Sequence, residues 1–110
     1  MSIRQEKIQR LLLKELSIIF QQQSSILFGG RFITVSAVKV TPDLSVAKVY
    51  LSFMASQDKK ADLKAVNEYN WKVRKLLAEK VGKSLRIVPE LFFKIDDSLD
   101  ISQEIDRLLK

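Results

Sequence analysis

Pro89 opens the segment that most constrains how this chain can fold. From Leu85 the sequence runs Leu-Arg-Ile-Val-Pro-Glu-Leu-Phe-Phe-Lys-Ile-Asp-Asp-Ser, ending at Ser98. Leu91, Phe93 and Ile95 fall to one side and Glu90, Phe92 and Lys94 to the other, which is the period of a β-strand. Proline donates no backbone hydrogen bond, so Pro89 belongs at a strand start or on an edge strand. Asp96, Asp97 and Ser98 stop the strand and can cap a helix behind it. That last helix is expected to carry Leu99, Ile101, Ile105, Leu108 and Leu109 on its apolar side.

The segments ahead of this strand alternate between two periods. Residues 3–22 place Ile8, Leu12, Leu16 and Ile19 at helical spacing, widened by Leu11, Leu13 and Phe20. Gln21-Gln22-Gln23-Ser24-Ser25 leads into a loop that ends at Gly29-Gly30. A hairpin follows: Phe32 to Thr41 is rich in β-branched residues, and Val46 to Met54 alternates with Ala47, Val49, Leu51 and Phe53 on one face. Thr41-Pro42-Asp43-Leu44-Ser45 supplies the turn between them. From about Lys59 to Val81, Leu63, Val66, Asn70, Val73 and Leu77 are spaced 3, 4, 3 and 4, an amphipathic helix interrupted by an amide. The predicted order is helix, strand, strand, helix, break, helix, strand, helix. That is one α+β domain over residues 1–110, its three-stranded sheet covered by helices on one face.

Composition excludes more than it selects. The chain has 110 residues, no histidine and no cysteine, which removes Cys/His zinc sites, a histidine base and a cysteine nucleophile. Gly29, Gly30 and Gly82 are the three glycines and match neither a dinucleotide fingerprint nor a P-loop. No metal, cofactor or small-molecule substrate is expected. Asp96, Asp97 and Asp100 form a carboxylate cluster, but turn and capping roles account for them and no nucleophile accompanies them. The N-terminus lacks the apolar core of a signal peptide and no run is long enough to span a membrane, so a cytoplasmic protein is expected.

The net charge is +6, and residues 57–86 alone hold nine basic and four acidic side chains. A polyanion is the natural partner for such a surface. Lys72, Arg74, Lys75, Lys80, Lys83 and Arg86 form the densest cluster, opposed only by Glu79. Lys64–Glu68, Glu68–Lys72, Lys75–Glu79 and Glu79–Lys83 are i,i+4 pairs, expected to form an ion-paired solvent face. Arg74, Lys80 and Arg86 lie off that stripe and are the preferred phosphate ligands. Lys7, Arg10 and Lys14 form a second basic edge on the first helix. Trp71, beside the cluster, could stack on an unpaired base, but burial against the first helix or the loop before the hairpin is the favoured expectation.

The arginine, proline-glutamate-leucine, phenylalanine and aspartate-x-serine order of residues 86–98 resembles the last strand of the bacterial ribosome-binding factor A family. The hairpin, with Asp43-Leu44 in its turn and Ala47-Lys48-Val49-Tyr50 in its second strand, is similar as well. The resemblance implies a type II KH-like domain in which a kink between two helices replaces the usual glycine-rich loop. In that family the kink is commonly built on a small residue two before a glycine. This chain has Tyr69-Asn70-Trp71 there, and Asn70, which tolerates non-helical dihedrals, is expected to mark the break. The resemblance also implies a non-enzymatic, monomeric assembly factor that binds the immature 30S subunit and 16S rRNA. It would assist maturation and precursor processing, chiefly in the cold. The alternatives are a protein-interaction module that docks an acidic partner through its basic face, or an RNA chaperone with no ribosomal specificity.

Overall fold

The computed structural model describes residues 2–54 and 56–96. The elements are α1 (Ile3–Gln23), β1 (Ile33–Val40), β2 (Val46–Phe53), α2 (Lys59–Glu68), α3 (Asn70–Val81) and β3 (Glu90–Ile95). The helix expected after Ser98 lies outside the described residues, as do Asp97 and Asp100.

Helix α1 starts with a reciprocal cap. Ser2 Oγ accepts from the Gln5 amide at 3.1 Å, and Gln5 Oε1 accepts from the Ser2 amide at 3.0 Å, so two otherwise orphaned donors are satisfied. Ile8, Leu12, Leu16, Ile19 and Phe20 are its buried residues, the stripe that the periodicity predicts. Behind it Gly29 and Gly30 take φ of 61° and 79°, a left-handed turn open to glycine at little cost. The turn delivers Phe28 into the core, a role the loop composition does not suggest. Phe28 stacks on Phe20 at 5.3 Å, Phe93 meets Phe20 edge-on at 5.7 Å, and Tyr69 meets Phe28 edge-on at 6.1 Å. One aromatic cluster thus ties α1, the loop, β3 and the end of α2 together, each pair adding about 0.5–1.5 kcal/mol beyond simple burial.

β2 is the central strand, antiparallel to β1 and parallel to β3. The parallel pairing runs from Val46 opposite Glu90 to Leu51 opposite Ile95, and α2 and α3 make the long crossover that a parallel pair requires. A bulge at Ser36 shifts the β1 register between Val35 and Ala37. That extra residue explains why Ile33 and Val35, then Val38 and Val40, all face inward. Ala47, Val49, Leu51, Phe53, Leu91 and Phe93 complete the inward face, and no polar or charged residue is buried among the described residues. The opposite face of the sheet carries no helix among them.

Helices α2 and α3 are separate, as Asn70 leads one to expect. Tyr69 has φ −107° and ψ 18°, off the helical course, and its carbonyl accepts from the Lys72 and Val73 amides that open α3. Asn70 Nδ2 donates to the Leu91 carbonyl at 2.9 Å. The amide at an apolar position is thereby satisfied by β3, and the chain bends where the bond is made.

Candidate nucleic-acid interface

Where the α2–α3 break meets β3, the surface opens into a groove of about 640 Å³ lined by Asn67, Asn70, Trp71, Arg74 and residues 90–93 of β3. Trp71 is 65% exposed and Phe92 53% exposed. Two exposed aromatic residues therefore border one concave site, beside an arginine. The expectation that Trp71 packs against α1 or the loop is overturned. The bend at Tyr69 sets α3 so that Val73, Leu77 and Val81 fill the core, and the position after Asn70 is left outward. An exposed aromatic side chain beside a cation is chemically suited to stacking on an unpaired base.

The cationic residues divide between places. The Arg74 guanidinium donates to the Val88 carbonyl at 2.8 Å, so it fastens the approach to β3 as well as lining the groove. Lys72 is half-buried, and Lys75 and Lys80 are exposed along α3. Lys83 is exposed in the turn behind α3. Arg86 lines a different crevice of about 190 Å³, shared with Arg4 and Asp43. The second basic edge, Lys7, Arg10 and Lys14, is exposed on α1. The fold thus brings Trp71, Arg74 and Phe92 into one groove and sets Arg86 beside Arg4. Spacing along the chain reveals neither grouping. Phe92 is the residue that sequence reasoning placed on the outward face without assigning it a role. An aromatic between Glu90 and Lys94 in an otherwise charged row is the signal that marks it.

None of the four expected i,i+4 ion pairs forms among the described residues. The break at Tyr69 puts Glu68 and Lys72 on different helices, and Lys83 lies beyond the end of α3. The two remaining pairs are exposed, where Coulomb gain barely exceeds the cost of ordering two long side chains. Lys64, Lys75 and Lys83 are exposed and carry none of these pairs. An ion pair joins Arg31 to Asp62 at 2.7 Å, near the start of α2. There the Ser56 hydroxyl above all, with Arg31 adding to it, holds the Asp62 carboxyl below its ordinary range against the opposing effect of burial. In the hairpin turn Asp43 is likewise lowered, by the Thr41 and Ser45 hydroxyls and the Ser45 amide. No cluster of acidic residues able to hold a metal occurs among the described residues, and no helix there is long and apolar enough to cross a membrane.

Comparison with known proteins matches residues 4–109 to a family described as ribosome-binding factor A. Proteins of that name from Cytophaga hutchinsonii and Chlorobium phaeobacteroides are similar. The first is 46% identical over 108 residues, covering 98% of this chain and 81% of the relative. The second is 39% identical over 111 residues, covering 100% and 94%. The crystal structure of ribosome-binding factor A from Thermus thermophilus superposes with a TM-score of 0.69 at 23% identity, over 83% of this chain and 93% of that one. A homology model of the Thermus thermophilus factor, fitted into a cryo-electron-microscopy map of a complex with the 30S subunit, has a TM-score of 0.65 at 24% identity, over 81% and 91%.

Proposed function

The chain belongs to the ribosome-binding factor A family, and from that premise we propose that it is a non-enzymatic assembly factor of the small ribosomal subunit. The observation that carries the reading is the family match over residues 4–109. A relative fitted into a map of its 30S complex supports the partner. In this reading the protein acts as a cytoplasmic monomer, as a single domain, with no cofactor and no small-molecule substrate. It binds the immature 30S subunit through 16S rRNA and assists late maturation, including processing of the precursor ends.

The physical basis is a rigid scaffold that presents cations and aromatic rings around a shallow groove. Lys72, Lys75, Lys80, Lys83 and Arg86 contact phosphates, which fix position without reading sequence. Lys7, Arg10 and Lys14 extend the contact, and Arg74 orients the groove wall. Trp71 and Phe92 receive unpaired bases, so the protein favours RNA conformers that leave those bases free. A ligand of this kind shifts a folding equilibrium only by its differential affinity for the competing conformers. Its contribution is largest in the cold, where misfolded RNA helices are more stable and rearrange slowly. Once the RNA reaches its final fold the contact geometry is lost and the factor leaves.

Sucrose-gradient sedimentation of cell extract tests the reading. The protein should travel with free small subunits and be scarce on translating ribosomes. A deletion strain grown cold should accumulate precursor 16S rRNA and unbalanced subunits. Normal profiles and fully processed RNA in the cold would refute the assembly role and leave docking to an acidic protein as the better account.

A further inference from the structure

The sheet face opposite the helices is built as a grid. Strand register sets Lys39, Lys48 and Phe92 side by side in one row, and Ala37, Tyr50 and Lys94 in the next. The rows stand about 7 Å apart along the strands, two residues of rise. Lys39, Lys48, Lys94 and Phe92 are exposed and Tyr50 is half-exposed. Lys39 and Lys48 are directly opposed across the β1–β2 pair, an arrangement that weakens a sheet unless something else neutralises it. No ion pair relieves any of the three lysines among the described residues. Glu90 is the acidic side chain of β3 on this face, at its near end, opposite Val46. Phe92 also lines the groove at the helix break, so groove and sheet face are one continuous surface across the β3 edge.

We infer that this open sheet face is a second RNA-contact surface, which carries a single strand onward from the groove. Lys39, Lys48 and Lys94 hold its phosphates, and Phe92 and Tyr50 receive successive bases. The inference rests on the RNA-binding reading above and extends it to a face without helices. Charge selects the occupant: three unpaired cations favour a polyanion, and two rings with exposed faces favour unpaired bases over an acidic polypeptide, which offers no π surface.

Fluorescence anisotropy with a labelled oligoadenylate of about twelve nucleotides tests it, titrated over a range of salt. Trp71, the one tryptophan, reports separately on the groove through quenching. Replacing Lys39, Lys48 and Lys94 together by Gln should weaken binding at least about tenfold. It should also reduce the magnitude of the salt slope by about 2, since each lost single-strand phosphate contact removes about 0.7. Trp71 quenching at saturation should persist. Tyr50→Val keeps a good strand former and removes one ring, so it should weaken binding about fivefold or more with the slope unchanged. A Lys triple variant with native affinity and slope would overturn the sheet-face inference alone, as would stronger competition by poly-L-glutamate than by unlabelled RNA. Failure of the native protein to bind both the oligomer and free small subunits would overturn this inference and the assembly role together.

Discussion

Asn70 shows how much one side chain can decide. Its amide occupies a position that the 3, 4, 3, 4 spacing assigns to the core, and it is satisfied by the Leu91 carbonyl 2.9 Å away. Removing one partner of a part-buried hydrogen bond leaves the other desolvated. Asn70→Ala should therefore lower stability by about 1–3 kcal/mol, seen as a reduced urea midpoint with an unchanged slope. Asp62 gives a pH-dependent counterpart. Its carboxyl is held below the ordinary value of 3.8 by Ser56 and Arg31. A group with a depressed folded pKa contributes its stability above the unfolded value and loses it as pH falls through the folded one. Thermal melts of the native protein and Asp62→Asn should differ most near neutral pH and converge as pH drops below about 3.8. A gap that persists in acid would show that the asparagine disturbs the site by another route.

The elements are stabilised as much by what they cover as by their own propensity. β1 is an edge strand, and α1 blunts it with two glutamines. Gln5 Nε2 donates to the Val40 carbonyl at 3.1 Å, and Gln9 Oε1 accepts from the Val40 amide at 3.0 Å. An unpaired strand edge invites pairing with another chain. Gln9→Ala should leave the fold intact while the Val40 amide exchanges with solvent at least about tenfold faster, measured by NMR-detected hydrogen exchange. Unchanged protection at Val40 would mean that the packing of α1 shields the edge without this bond. The hairpin turn shows a similar economy. Asp43 accepts from the Thr41 hydroxyl, the Ser45 hydroxyl and the Ser45 amide, while Leu44 takes φ 63°, a conformation rarely adopted by leucine.

For the molecule as a whole, association with RNA should be electrostatic in kind. Neutralising about four to six phosphates would give log affinity a slope of roughly −3 to −5 against log salt. Lys75, Lys80 and Lys83 are exposed, so replacing all three by Glu should abolish binding to free small subunits while the melting temperature stays close to native. Arg74 does not belong in that test, because its guanidinium also holds the Val88 carbonyl and its loss would mix folding with binding. Full binding by the lysine triple variant would move the interface away from α3.

What the sequence determined by itself is whatever depends on neighbours a few residues apart. The α1 stripe, the alternation of β2, the turn at Thr41–Ser45 and the break announced by Asn70 were all legible, because their periods and side-chain chemistry are local. The family, too, was readable in the order of residues 86–98. The candidate site was legible only as charge: the cations were visible, but not which of them share a surface. Only the tertiary structure set β3 parallel to β2, turned Trp71 outward, drew Phe28 into the core and joined Phe92 to Arg74 while sending Arg86 to Arg4. Each of these depends on segments that are separate in the chain meeting through packing. Of the expected ion pairs, Glu68–Lys72 failed for the same reason, since the bend at Tyr69 puts its partners on different helices.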